Sequence, residues 1–134
     1  MNHINHLYCT INHVILDVLK IFDNAPQFGL PSGIALVIEG EGNRLIGTVT
    51  EGDIRRAILK NRNLDVPVNS IMQNDPIYFH ESLSITEILE AMPHELLKRK
   101  RKSSKYLSKI VLIDINHKPV RVLDYHQLWE QKVA

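Results

Sequence analysis

Hydrophobic residues in the first half of this chain follow two spacings, one typical of helices and one typical of buried strands. Apolar positions recur at helical spacing over residues 14–22, and residues 34–38 form an unbroken apolar run. A glycine-containing turn then leads to an apolar strand at 45–49 and a helical pattern at 52–60. With an extended piece at 7–9, the pattern predicts the order strand, helix, strand, strand, helix.

The second half repeats this order. The predicted segments are an extended piece at 76–79, a helix that begins after Ser84 with Glu87 in its first turn, strands at 109–113 and 120–123, and a last helix at 125–132. We therefore predict an α/β fold of two pseudo-symmetric β-α-β-β-α repeats. Because neither small sheet can cover both of its faces alone, the repeats should pack together as one compact module.

The predicted boundaries place the first repeat at residues 1–62, a linker at 63–75 and the second repeat at 76–134. The second repeat carries a basic insertion at 97–106. Six of the sixteen basic residues lie in this insertion, so the rest of the chain has ten basic against fifteen acidic residues. A solvated loop and a nucleic-acid contact both fit this charge, but no aromatic residues are interleaved to favour the nucleic acid.

The junction of the first repeat's last strand and last helix carries the most informative chemistry. Thr50 ends the apolar strand, and Asp53 follows three residues later in the first helical turn. This spacing is that of an ordinary capping box. It also suits a nucleotide, because a helix N-terminus and a hydroxyl can receive a phosphate while a carboxylate accepts both hydroxyls of a ribose.

The composition limits the cellular location and the class of protein. The chain has 134 residues, 44% of them hydrophobic, with a net charge of only +1 and a single cysteine. It has no apolar run of transmembrane length and no signal-peptide pattern at its start, so we expect a cytoplasmic protein with no membrane contact. The histidines near the start have no ligand partners at metal spacing, and no catalytic motif is present, so we predict neither a metal site nor an enzyme.

The residues around Thr50 resemble those of a tandem CBS domain pair, the cystathionine β-synthase repeat also called a Bateman module. Gly47, Thr50 and Asp53 match the family pattern, and the resemblance spans about residues 7–130. The runs 33–38 and 50–56 and the Ile-Met-x-x-x-Pro run at 71–76 are similar to CBS pairs found before sugar nucleotidyltransferase domains. The resemblance implies a regulatory module for AMP, ADP or ATP that acts on such an enzyme.

The resemblance also implies roles for individual residues. Asp53 would hold the ribose diol, and Thr50 would meet the α-phosphate. The residues implied for the base are Cys9, Thr10 and Ile11 on one side and Ile34 and Ala35 on the other. Arg55 and Arg56 would reach a phosphate, although an ion pair with Glu51 for one and solvation of the other explain them equally well.

The second repeat departs from the pattern in its chemistry. Asp124 stands at the position of Thr50, where its charge would repel a phosphate, and Gln127 replaces Asp53. Arg121 replaces Gly47. We therefore expect one nucleotide per chain. We also expect a homodimer through helices that carry Val14, Val18, Ile54, Ile58, Ile88 and Leu128. The rival hypothesis is a ligand-free interaction and dimerisation module.

Overall fold

The computed structural model describes residues 3–61, 63–99, 109–125 and 128. The strands are β1 (Tyr8–Cys9), β2 (Ile34–Glu39), β3 (Arg44–Thr50), β4 (Tyr78–His80), β5 (Lys109–Ile113) and β6 (Pro119–Asp124). The α-helices are α1 (Ile15–Asn24), α2 (Glu51–Asn61) and α3 (Ile85–Lys98). Short 3-10 helices cover Ile4–Leu7, Ala25–Phe28 and Val68–Ser70.

Two three-stranded sheets of identical topology confirm the predicted α/β fold. In the first sheet, β2 lies between a parallel β1 and an antiparallel β3; in the second, β5 lies in the same way between β4 and β6. The register agrees as well, since Ile34 faces Thr50 and Lys109 faces Asp124. Thr50 and Asp124 therefore occupy equivalent positions in the two sheets.

Several segments differ from the prediction. Residues 4–7 form a 3-10 helix, because an extended backbone begins only at Tyr8. Helix α3 runs to Lys98, so the first two residues of the basic insertion belong to a helix and Arg99 is its C-cap. The rest of the insertion lies outside the described residues, as does most of the predicted helix at 125–132.

The central strands bury both faces, which explains their unbroken apolar runs. Ala35 and Val37 of β2 pack with α1 and α2, whereas the alternate residues Ile34 and Leu36 pack toward the second repeat. Strand β5 behaves in the same way, because its alternate residues Val111 and Ile113 share a core with Leu36. This shared core joins the repeats, as the sequence predicted.

Most of the helix residues on which the dimer prediction rests are not available to a partner. Val18, Ile54, Ile88 and Leu128 are buried in the cores of their own repeats. The apolar periodicity marked the inward face of each helix, since burial against the sheet produces the same spacing as burial against a second chain. The large apolar side chain that α2 does expose is Leu59, which is 74% exposed.

The linker is bound to the first sheet at a glycine. Gln73 exchanges two backbone hydrogen bonds with Thr48, at 2.8 and 3.2 Å, so the linker extends the edge of β3. A Cβ at Gly47 would lie 2.9 Å from the Gln73 carbonyl oxygen and 2.9 Å from the Met72 sulfur. Gly47, which matches the family pattern, therefore lets the linker backbone approach the sheet because it has no side chain.

We predict that Gly47→Ala lowers the free energy of unfolding by about 1–3 kcal/mol, because the added methyl group overlaps backbone that cannot rotate away. Gly42→Ala is the matched control, since its Cβ would meet no heavy atom within 4 Å. Chemical denaturation measures both. Equal stability of the two variants would contradict the close approach at Gly47.

Candidate functional site

Thr50 and Asp53 form a reciprocal cap at the start of α2. Asp53 Oδ2 accepts hydrogen bonds from the Thr50 backbone N–H at 2.9 Å and from the Thr50 hydroxyl at 3.0 Å. The Asp53 backbone N–H donates to Thr50 Oγ1 at 3.4 Å. The predicted capping box is therefore present, and it fixes both side chains where β3 ends.

Arg56 completes the cluster by an ion pair that the sequence analysis did not predict. Its Nη2 lies 2.8 Å from Asp53 Oδ1, one helical turn away. The prediction considered Glu51 as the partner of one of the two arginines. The structure instead pairs Arg56 with Asp53, because the cap turns that carboxylate along the helix. The Arg56 side chain is 67% exposed and that of Asp53 only 17%.

The cap opens on a space between the two repeats, here called the first cleft, of about 340 Å³. From the first repeat it is lined by Ser32, Gly33, Ile34, Thr48, Thr50, Glu51, Gly52, Asp53, Arg55 and Arg56. From the linker and the second repeat it is lined by Gln73, Pro76, Ile77, Lys109 and Val111. The first repeat thus contributes hydroxyls, carboxylates and two arginines, and the second repeat contributes an apolar Pro-Ile step together with Lys109.

The structure brings together five of the nine predicted site residues. Ile34, Thr50, Asp53, Arg55 and Arg56 all line the first cleft. Ala35 does not line it, since successive residues of a strand point to opposite faces and Ala35 packs into the helix-side core.

Cys9, Thr10 and Ile11 do not line the first cleft. Strand β1 pairs with β2 at the edge opposite β3, and Cys9 packs with Ala35 in the helix-side core. Thr10 is bound locally, because its backbone N–H donates to His13 Nδ1 at 2.8 Å. Burial, with a smaller contribution from Asp17, raises the pKa of the Cys9 thiol to about 12. The binding role that the resemblance implies for these three residues stays a prediction.

Sequence reasoning missed the lining residues of the linker and the second repeat, together with five of the first repeat: Ser32, Gly33, Thr48, Glu51 and Gly52. Pro76 and Ile77 precede β4 just as residues 6–7 precede β1, and they line the first cleft together with Thr50. The internal repeat could have predicted the position of Pro76 and Ile77. A pseudo-twofold arrangement brings the segment before the first strand of one repeat to the last strand of the other.

A second cleft, of about 550 Å³, is the counterpart of the first. It is lined by Asp124, by Arg121 and Lys109, and by Ile4, which precedes β1. Lys109 Nζ lies 3.5 Å from Asp124 Oδ2, so an ion pair stands where the first cleft has the neutral Thr50 hydroxyl. Gln127, the counterpart of Asp53, lies outside the described residues.

The histidines near the start have local partners. His6 stacks on Phe28 with ring centroids 3.5 Å apart, and His13 binds Thr10. Among the residues that the structure describes, no three histidine, cysteine or acidic side chains are grouped so that they could hold a metal ion. In that same part of the chain, no helix has the length and apolar character needed to cross a membrane.

Comparison with known proteins agrees with this architecture. Residues 1–60, which include Thr50 and Asp53, match the family model of the CBS domain. A protein of Helicobacter pylori strain 26695 named only as uncharacterized is 32% identical over 94 residues, which are 70% of this chain and 26% of that relative. This chain thus spans about a quarter of the length of the curated relatives it matches, since the figure is also 26% for the protein of strain J99.

Solved structures share the fold over nearly the whole chain. The CBS domain pair of protein MJ0100, in complex with 5′-methylthioadenosine and S-adenosyl-L-methionine, has a TM-score of 0.68 at 17% identity, covering 94% of this chain and 86% of that one. A protein with CBS domains from Burkholderia ambifaria MC40-6 has a TM-score of 0.67 at 20% identity, covering 99% of this chain and 94% of that one. The cytosolic domain of the Mg²⁺ channel MgtE with ATP has a TM-score of 0.68 at 14% identity, covering 92% and 44%. These neighbours and the family model support a CBS domain pair.

Proposed function

We propose that this chain is a regulatory module that binds an adenosine nucleotide in the first cleft, with AMP as the first candidate and ADP and ATP next. One observation carries the proposal. The Thr50–Asp53 cap, within the segment that matches the CBS family model, faces a cleft whose other wall belongs to the second repeat. A ligand there would contact both repeats at once.

The binding mode follows from the chemistry of the walls. Asp53 accepts the hydroxyls of the ribose, and the Thr50 hydroxyl and Arg55 lie on the wall that would receive the phosphate. The base packs between Ile34 and the Pro76–Ile77 step. Cys9, Thr10, Ile11 and Ala35 have no part in this revised site, because they do not line the cleft.

Two structural neighbours support the ligand class. The MJ0100 pair is described with 5′-methylthioadenosine and S-adenosyl-L-methionine, and the cytosolic domain of MgtE with ATP. Each ligand contains an adenosine unit, which is the part that a carboxylate and two apolar walls can hold. They differ in whether a phosphate is attached.

Regulation would arise from a shift between arrangements of the two repeats. A ligand held by Asp53 on one side and by Ile77 on the other favours the arrangement in which both walls contact it. A partner or fused domain then senses that arrangement, and a sugar nucleotidyltransferase in the cytoplasm is the partner we propose. The module itself would have no catalytic role.

We also propose a homodimer, on a different basis from the sequence argument. Helices α1 and α2 border an apolar groove of about 550 Å³ lined mainly by Leu19, Phe22, Pro26, Ile54, Ile58 and Leu59. The exposure of Leu59 beside this groove favours a second copy there. The same groove is the observation that favours the rival function, a ligand-free interaction module.

We predict that Asp53→Asn weakens AMP binding about tenfold to a hundredfold, because a charge-assisted hydrogen bond to a hydroxyl contributes about 1.5–3 kcal/mol. Asp17→Asn is the matched control. Asp17 caps α1 with the same geometry, accepting the Val14 backbone N–H at 2.9 Å, but lies outside the cleft. Calorimetry on both variants separates ligand binding from helix capping. Unchanged affinity in a folded Asp53→Asn protein would refute the site.

We predict one nucleotide per chain, because the Lys109–Asp124 ion pair places a carboxylate where a phosphate would lie in the second cleft. Calorimetric titration with AMP should give a stoichiometry of one. Two equivalent sites per chain would show that the second repeat keeps its ligand. Asp124→Thr with Gln127→Asp restores the Thr and Asp of the family pattern but leaves Arg121 at the glycine position, and it is the variant in which a second, weaker site should appear.

We predict a dimer at micromolar concentration by light scattering, and Leu59→Glu should shift it toward monomer, because a charge would be buried at the centre of the interface. Ile115→Glu is the control, since Ile115 is 88% exposed but lies on the hairpin of the second repeat, away from the groove. A monomeric wild-type protein, with and without nucleotide, would rule out the dimer.

A further inference from the structure

Asp53 has nearly all of its accepting positions occupied. An ionised carboxylate offers about four lone-pair positions, two on each oxygen. Oδ2 already accepts the backbone N–H and the hydroxyl of Thr50, and Oδ1 accepts Arg56 Nη2. One position remains, whereas a ribose diol that donates both of its hydroxyls to the carboxylate needs two. A ligand must therefore displace one of the donors already bound to Asp53.

Arg56 is the donor that leaves at least cost. Thr50 donates both its backbone N–H and its hydroxyl from within the cap that begins α2, so the loss of either bond would weaken that cap. The Arg56 guanidinium is two-thirds exposed, so water replaces the carboxylate readily when it swings away. Arg56 lines the first cleft along with Asp53, so once displaced it stays within reach of a bound ligand.

We propose that Arg56 acts as a gate on Asp53 that makes the first cleft select adenosine ligands with a 5′-phosphate over adenosine ligands without one. The inference rests on the proposed function and names the ligand class of the same site. The diol displaces Arg56 from Asp53 Oδ1, and the released guanidinium binds the phosphate of the same ligand. A neutral adenosine ligand displaces Arg56 and gives it no new partner.

Binding therefore changes the interactions of Arg56 differently for the two ligand classes. With a nucleoside 5′-phosphate, the charge-assisted hydrogen bond from Arg56 to Asp53 is replaced by one from Arg56 to the phosphate. With adenosine or 5′-methylthioadenosine, the Arg56–Asp53 pair is lost outright. Selectivity therefore comes from a cost placed on the ligands that lack a phosphate as well as from a gain for those that have it.

The decisive test is whether one variant binds the ligands without a phosphate more tightly and AMP more weakly. In Arg56→Gln, adenosine and 5′-methylthioadenosine should bind about twofold to fivefold more tightly, because an exposed ion pair no longer competes for Asp53. AMP should bind about threefold to thirtyfold more weakly, because it loses a charge-assisted partner. Calorimetry on the full chain with the three ligands measures both changes, and circular dichroism checks that the variant is folded.

Lys60→Gln is the matched control, since it removes the same charge one turn further along α2 at an exposed position that does not line the first cleft. It should leave the affinity for all three ligands unchanged. If Arg56→Gln weakens every ligand alike, changes none, or is matched by Lys60→Gln, the gate is wrong while the nucleotide site stands. If the wild-type protein binds none of the ligands, the proposed function and the gate fail together.

Discussion

The structure depends on one constraint, which is that the middle strand of each three-stranded sheet is apolar on both faces. Helices α1 and α2 of the same repeat cover one face of β2, and the other face packs partly with the 3-10 helices of that repeat and partly with the second repeat. Leu36 of the first repeat packs in one buried cluster with Val111 and Ile113 of the second repeat. Burial of these side chains stabilises each repeat only when the other is present, so the pair is the folding unit.

That packing also creates the candidate site. The shared core holds the end of β3 against the segment that precedes β4, and the cleft is the space left at the edge of this contact. Thr50 and Asp53 would cap α2 in any arrangement of the repeats. They form one wall of a candidate site because Pro76 and Ile77 line the same cleft of about 340 Å³. A ligand between these walls is therefore coupled to the interface on which the fold depends.

The two clefts show how one substitution pattern changes a duplicated site. The backbone register is the same in both repeats, so Thr50 and Asp124 occupy equivalent positions, as do Ile34 and Lys109. In the first cleft these positions hold a hydroxyl and an apolar side chain. In the second cleft they hold Asp124 and Lys109, which form an ion pair with each other across the paired strands. The fold tolerates this exchange because either residue can begin a helix, whereas the chemistry offered to an anion is reversed.

The sequence by itself determined the elements, the internal repeat, the caps of α2 and α3, and the equivalence of Thr50 with Asp124. These features depend on interactions among residues close in the chain, such as Ser84 with Glu87 or Thr50 with Asp53. Only the tertiary structure decided which residues face Asp53. Cys9 lies in the repeat of Asp53 yet at the far edge of its sheet, and Ile77 belongs to the other repeat yet lines the cleft. The contact between Gly47 and Gln73 was decided in the same way. The ion pair of Arg56 with Asp53 is local to one turn of α2, although the sequence analysis did not predict it. The periodicity of a sequence fixes which face of an element is apolar, but which element covers that face depends on how the two repeats pack together.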